Sequence, residues 1–291
     1  MKTLLTLAFC TLAAACASDS SSDSGQLQPA PPPGGQQLAT TKYTLQPGDE
    51  KYFCWTFRSP SQAEAITAVQ PISGQLVHHL VLFSTTQAEP DGFFECPQLV
   101  KLNWRPIWAE GTGGNPLTVP PGVGFQVPAG TQYLVQFHLL NATDKAVTER
   151  SGLNLTYAAD PASTMPAGIY ALGALTLDIP AGQSDYQLNV SCNADQTLHA
   201  FAAFPHMHKL GTKLELTANG QSAYKIDPWV FGNQPMDPIS LDITQGEPLS
   251  ATCHWNNTTG QDVKFGESTN DEMCFMVLFA YPLSEPGGCV M

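Results

Sequence analysis

Five of the seven histidines in this 291-residue chain fall in three compact motifs. These are His78-His79, then His138 in Gln136-Phe137-His138, then His206-Met207-His208. A Met-Cys pair, Met273-Cys274, follows near the C-terminus. Imidazole combined with a thioether reads as copper, because soft sulfur favours Cu(I) and imidazole suits both copper oxidation states. The grouping suggests two sites, His78, His79 and His138 in the first half and His206, His208 and Met273 in the second.

Residues i and i+2 of a β-strand point to one face, so His206 and His208 can reach one metal while Met207 turns into the core. Gly211 lets the strand turn soon afterwards. His78 and His79 are harder to place. Adjacent strand residues face opposite sides, so two adjacent ligands need a bulge, a strand end or a choice of ring nitrogen that lets both converge. An all-histidine set suits electron transfer. A three-ligand His-His-Met set leaves a coordination position open, as oxygen or substrate chemistry requires. The two remaining histidines sit outside any pair: His199 is expected near the second site, His254 on a loop after Cys253.

The order of these motifs resembles the copper type II, ascorbate-dependent monooxygenases. The likeness runs from about Tyr52 to Cys289. It includes Tyr52-Phe53-Cys54, the stretch from Trp108-Ala109 to Pro121-Gly122-Val123-Gly124-Phe125, Ala167-Gly168-Ile169-Tyr170, Ser191-Cys192, His206-Met207-His208-Lys209-Leu210-Gly211 and Asp271-Glu272-Met273-Cys274. The resemblance places Met273 as third ligand of the second site, with Met276 as the rival thioether, which a continuing strand would turn the other way. It implies two copper ions per chain. Electrons from ascorbate or another one-electron donor enter at His78, His79 and His138, and O2 is activated at His206, His208 and Met273, where an aliphatic C–H is hydroxylated. It also implies two jelly-roll-like β-sandwich domains, each with one copper site and a cleft between them.

The chain departs from the family at the substrate anchors. The peptide-amidating member holds a carboxylate with an arginine two residues before the first histidine of His-x-His, where this chain has Phe204. That member also uses an asparagine and a tyrosine two and four residues after the methionine, where this chain has Phe275 and Val277. Three apolar residues in place of three polar anchors point to a small, neutral or apolar substrate. The alternative is a non-catalytic copper-binding or delivery lipoprotein. The open His-His-Met set argues against it, since storage proteins multiply Met or Cys ligands.

The elements that must carry these residues read as β throughout. Short runs at Leu76 to Phe83, Tyr133 to Leu140, Leu153 to Tyr157, Leu172 to Ile179, Leu198 to Phe204, Lys213 to Thr217 and Phe275 to Tyr281 are separated by Gly, Pro, Asn and Asp clusters. With 24 Gly and 24 Pro, this is the pattern of an all-β sandwich protein. The polar stretch Ala158 to Pro166 divides the body into residues 41–162 and 163–291.

The N-terminus reads as a targeting segment. Lys2 precedes a short apolar run, Leu4 to Leu12, too short to span a bilayer, and residues 1–15 are expected to be a signal peptide. Ala13-Ala14-Ala15 before Cys16 resembles a bacterial lipobox, with Ala13 where that pattern prefers leucine; Cys16 is the expected lipidation site and Cys10, behind bulky Phe9, a poorer one. Residues 16–40, rich in Ser, Asp, Gln and Pro, read as a flexible tether holding the body off a membrane of the bacterial cell envelope. A net charge of −13, with only 13% charged residues, argues against nucleic acid and against electrostatic binding to anionic lipid. Six cysteines remain after Cys10 and Cys16, an even number consistent with disulfides in an exported chain. Spacing cannot choose among their fifteen connectivities. The absence of a C-x-x-C pair disfavours cysteine as a metal ligand. The resemblance suggests Cys54–Cys96, Cys192–Cys289 and Cys253–Cys274.

Overall fold

The computed structural model describes residues 25–57, 61–96, 101, 103–112 and 115–291. The expected signal peptide, Cys10 and Cys16 lie outside them. Among the described residues the regular structure is all β, apart from one 3-10 turn at Pro161–Ser163. That turn sits within the boundary stretch read from the sequence, and Asp160 caps it by accepting from Ala162 N. No helix among the described residues is long and apolar enough to cross a membrane.

Three sheets make up most of the body. A five-stranded sheet runs Gly92–Glu95, Glu50–Phe57, Gln132–Leu140, Val77–Thr85, Trp104–Glu110. A four-stranded sheet runs Tyr186–Asn193, Pro248–Trp255, Gly211–Ala218, Gln221–Ile226. Each packs on part of one long sheet whose path is Gln36–Ala39, Gly152–Tyr157, Glu64–Ile72, Val123–Val127, Met165–Ala174, Cys274–Tyr281, Leu198–His206, Asp237–Ile243. The long sheet passes from the first half of the chain to the second through one parallel pair, Met165–Ala167 beside Val123–Phe125.

Alternating burial divides the apolar side chains between two main cores. The first includes Leu80, Leu82, Trp108, Val135 and Phe137 of the five-stranded sheet, and Ile169, Phe204 and Phe279 also reach it from the second half. The second draws on residues from Tyr170 to Cys289, with Met207, Trp255 and Met276 fully buried. Cysteines pair as 54–96, 192–289 and 253–274, with Cα separations of 5.5, 6.1 and 5.9 Å, and these are the pairs that the resemblance suggests.

Two element readings need correction. The body begins before residue 41: Gln36–Ala39, inside the expected tether, is a strand paired with Gly152–Tyr157, and Leu38 is buried. One apolar side chain in a Gln-Gln-Leu-Ala strand is enough when the partner strand supplies the hydrogen bonds. The run Leu172 to Ile179 is two elements, the end of Met165–Ala174 and a short Asp178–Ile179.

Candidate metal centres

The first histidine group is built across three neighbouring strands. The register places Tyr52, His138 and His79 in one cross-strand row. Their face of the sheet is the one turned away from the first core. Between Leu139, opposite Val77, and His138, opposite His79, the register shifts by one residue. His78 is that extra residue, a β-bulge, and the bulge turns adjacent histidines toward a common point. The three Nδ1 atoms converge: His78 Nδ1 lies 3.4 Å and His138 Nδ1 3.3 Å from His79 Nδ1. An ion about 2.0–2.1 Å from each of three imidazole nitrogens would space them roughly 3.3–3.6 Å apart in trigonal or tetrahedral geometry, so the observed spacing fits a bound metal. Among the described residues this trio is a group whose ligand atoms all lie within 4.8 Å of one another.

The second group is held differently. The strand Leu198–His206 ends at His206, so His208 lies beyond the strand on which both were expected. Their rings still face each other, centroids 5.2 Å apart at 87°. Glu272, fully buried, fixes the turn: its carboxylate accepts from His208 N (2.9 Å), Leu210 N (2.6 Å) and Trp255 Nε1 (2.9 Å). Gly211 is required by close approach, because a Cβ there would meet Met207 Cε and Trp229 Cδ1 at 2.9 Å. The Nδ1 atoms of both histidines are occupied, His206 with Gln234 Oε1 (2.8 Å) and His208 with the Asp271 carbonyl (3.0 Å). Their Nε2 atoms are left for a ligand, and that of His208 is buried without a partner. Such an orphaned nitrogen is costly unless something coordinates it.

All five imidazoles are neutral near pH 7. Burial, with the neighbouring rings adding to it, pushes His78, His138 and His206 down to about 3, His208 to about 4 and His79 well below its ordinary value. A neutral ring keeps the lone pair that a metal needs.

The two groups are close, with the His79 and His206 ring centroids 5.9 Å apart. A cavity of about 510 Å3 opens between them, lined by His79, His206, Met273, Phe204, Phe275 and Val277 among others. Strand pairing explains this wall. Phe204 opposes Val277 and His206 opposes Phe275, whereas Met276 opposes Pro205 and is buried in the second core. Met273 therefore shares the cavity with His206, and Met276 is turned away as its strand position requires.

The remaining histidines are elsewhere. His199, expected near the second site, is at the far end of the strand that ends in His206, where it pairs with exposed Asp242 at 2.7 Å. His254 is on the strand Pro248–Trp255 and not on a loop, 3.0 Å from Asp185. Three residues that sequence reasoning missed hold the site together. Gln234 binds His206, Glu50 lies 2.8 Å from His138 Nε2, and the ring of Tyr52 stacks on that of His138 at 4.2 Å and 8°. Only Tyr52 had a signal available, as part of the motif Tyr52-Phe53-Cys54, although no role was read from it.

An all-β chain with two clusters of neutral, inward-facing histidines, and a methionine lining the cavity beside His206, has the donor set of a soft-metal protein. Residues 165–291 match the family described as copper type II ascorbate-dependent monooxygenase, C-terminal domain. The chain is 26% identical over 284 residues to DBH-like monooxygenase protein 1 of Gallus gallus, covering 80% of this chain and 45% of that protein. It is 28% identical over 256 residues to peptidyl-glycine alpha-amidating monooxygenase of Mus musculus, covering 80% and 25%. To tyramine beta-hydroxylase of Caenorhabditis briggsae it is 25% identical over 250 residues, covering 76% and 42%. The chain thus spans less than half the length of each of these relatives. The family match over residues 165–291 and these relatives together support the copper type II ascorbate-dependent monooxygenase family for this chain.

Proposed function

We propose that this protein is an exported, lipid-anchored copper monooxygenase that hydroxylates an aliphatic C–H of a small neutral or apolar substrate. The net reaction is R–H + O2 + 2 e− + 2 H+ → R–OH + H2O, with ascorbate or another external one-electron donor as reductant. His78, His79 and His138 would hold one copper ion and His206, His208 and Met273 the other. Copper would supply one-electron chemistry at the first trio and oxygen activation at the second.

The chain's own residues do the rest. The observation that carries the reading is the cavity between the trios, where Phe204, Phe275 and Val277 form an apolar wall beside His206 and Met273. Such a wall binds a substrate by burying its carbon skeleton, at roughly 25 cal/mol per Å2 of apolar surface, and offers no cation to a carboxylate. It also sheds water from the reacting C–H. Gln234 and the Asp271 carbonyl hold the Nδ1 side of His206 and His208, which leaves each Nε2 lone pair toward the ligand. Tyr52 holds His138 by stacking on its ring.

Oxygen uptake by the copper-loaded protein, reduced with ascorbate, tests this reading across a panel of small hydrocarbons, ethers and aryl-alkanes. Uptake matched one to one by hydroxylated product is expected with at least one neutral probe. Copper binding with no product-coupled uptake across the panel would favour copper delivery instead.

A further inference from the structure

Glu50 starts the strand Glu50–Phe57, two residues before Tyr52 and on the same face. One oxygen, Oε1, contacts two groups from opposite halves of the chain. It lies 2.8 Å from His138 Nε2 and accepts from the backbone N of Thr269 at 3.0 Å. The other oxygen, Oε2, is 3.5 Å from Thr269 Oγ1. His138 is fully buried, and its ring is neutral, so it has one N–H to give. With Glu50 at Nε2, the N–H donates there and the Nδ1 lone pair is left facing His79 and His78.

Thr269 belongs to the segment that builds the second trio. Two residues on, the Asp271 carbonyl accepts from His208 Nδ1, and Met273 follows. Tyr52 repeats the arrangement, with its ring on His138 and its hydroxyl donating to the Glu267 carbonyl at 2.6 Å. Edge and face of one first-trio histidine are therefore gripped by two residues that also hold the loop of the second trio.

We propose that Glu50 is a positioning residue for both centres. It fixes the tautomer of His138, so that Nδ1 and not Nε2 is the donor to the first-site metal, and it strengthens that donor with its negative charge. Through Thr269 it sets the loop that carries Asp271 and Met273 in register with the first trio. This rests on the reading of the first trio as a copper site. A carboxylate bonded to the far nitrogen of a ligating imidazole raises the ring's basicity. The more highly charged ion gains more from that than the less charged one, so Glu50 should favour Cu(II) over Cu(I) at this site.

The test is copper affinity in the full chain, with Cu(II) and Cu(I) titrated separately in a His208→Ala background, so that the first trio alone is read. Glu50→Gln keeps the shape and an acceptor but removes the charge. We expect its Cu(II) affinity to fall about 10-fold or more and its Cu(I) affinity much less, with Glu50→Ala toward the 100-fold end of the range for such partners. A merely structural role would weaken both oxidation states equally. In an otherwise unaltered second site, Thr269→Val should change the Cu(II) electron paramagnetic resonance signature of the first site while its ligands remain intact. Equal loss of both ions in Glu50→Gln, or Cu(II) affinity within about 3-fold of the parent, overturns the proposal. Parent protein that binds no copper at the first trio overturns the site reading itself, and is told apart because it shows before any change at Glu50.

Discussion

Gly111 is not among the candidate ligands, yet its substitution by alanine should damage metal binding at the second histidine group. A Cβ on Gly111 would lie 2.6 Å from Gln234 Cδ, with Gln234 Oε1 and Cβ also in the way. Gln234 is fully buried, and its backbone is pinned by Thr112 O and Asn115 Nδ2 at 3.2 and 3.1 Å. The side chain must absorb the clash. An ordinary contact of about 3.4 Å requires a retreat of about 0.8 Å, which stretches the 2.8 Å bond to His206 Nδ1 to about 3.6 Å, where no hydrogen bond remains. His206 then loses the partner that fixes its tautomer. The expected cost is about 1 kcal/mol for the bond, about 1–3 kcal/mol of overpacking, and about 10–100-fold in second-site copper affinity. Copper titration, with the first trio as internal control, measures the last term. The double variant Gly111→Ala/Gln234→Gly should bind no worse than Gln234→Gly alone, because glycine removes every Gln234 atom that the new Cβ would meet, Cβ included. Additive losses in the double variant, or unchanged second-site affinity in Gly111→Ala, would refute this account of how His206 is held.

Met273→Ile should abolish product-coupled oxygen uptake and leave first-trio copper in place, whereas Met276→Leu should retain turnover with a loss of under about 1.5 kcal/mol in stability; the reverse pattern would exchange their roles. Glu110 is 2% exposed, and burial pushes its carboxyl up to about 8 against the opposing bond to Ser73. Its folded pKa is raised, so the stability it contributes is present below about pH 4.5 and lost as pH climbs to about 8. Glu110→Gln should match the parent in urea unfolding at pH 4 and exceed it at pH 9, by an amount on the order of 4 kcal/mol; an identical pH dependence in the two proteins would count against this. Replacing Cys253 and Cys274 by serine should cost about 2–5 kcal/mol and, because Met273 adjoins Cys274, reduce second-site Cu(I) affinity more than first-site affinity; equal effects on the two sites would show that the bridge does not position Met273.

The sequence made some of this legible for identifiable reasons. The turned-away Met276 follows from a two-residue period, and the structure places it as that period requires; the apolar trio at Phe204, Phe275 and Val277 was legible through the family resemblance, whereas His208 lies beyond the strand that the His-x-His spacing implied. The bulge at His78 was one of three alternatives, because a bulge is decided by the register of the partner strand Gln132–Leu140, about 60 residues away. Gln234 and Glu50 escaped notice for the same reason. They are 28 and 88 residues from the histidines they hold, and no periodicity reports on such contacts. The strand Gln36–Ala39 was read as tether because its composition is polar. Its order comes from pairing with Gly152–Tyr157, from the buried Leu38 and from the Gln37 side chain, which bonds Leu27 and Asn154, none of which a composition argument can see.

The placement of these long-range partners bears on how the two histidine groups are held relative to each other. Strands supply four of the five histidines, with His208 just past the end of its strand, and the groups that orient them are tied across between the halves. Thr112 Oγ1 donates to the His78 carbonyl at 3.2 Å, and its own carbonyl accepts from Gln234 N, whose side chain holds His206. On the other side, Glu50 and Tyr52 reach from His138 to Thr269 and Glu267. Phe231 fills the space between, its ring 4.8 Å from that of His78 and 6.4 Å from that of His208. Each orienting residue thus belongs to the half of the histidine it holds but is itself tied to the other half, Gln234 to Thr112, Glu50 to Thr269 and Tyr52 to Glu267. A rotation of one half against the other would strain the partners of both His206 and His138. The cavity, lined by His79 and His206, would change with them, so the fold ties the cavity's shape and the orientation of the histidines to the same few polar contacts.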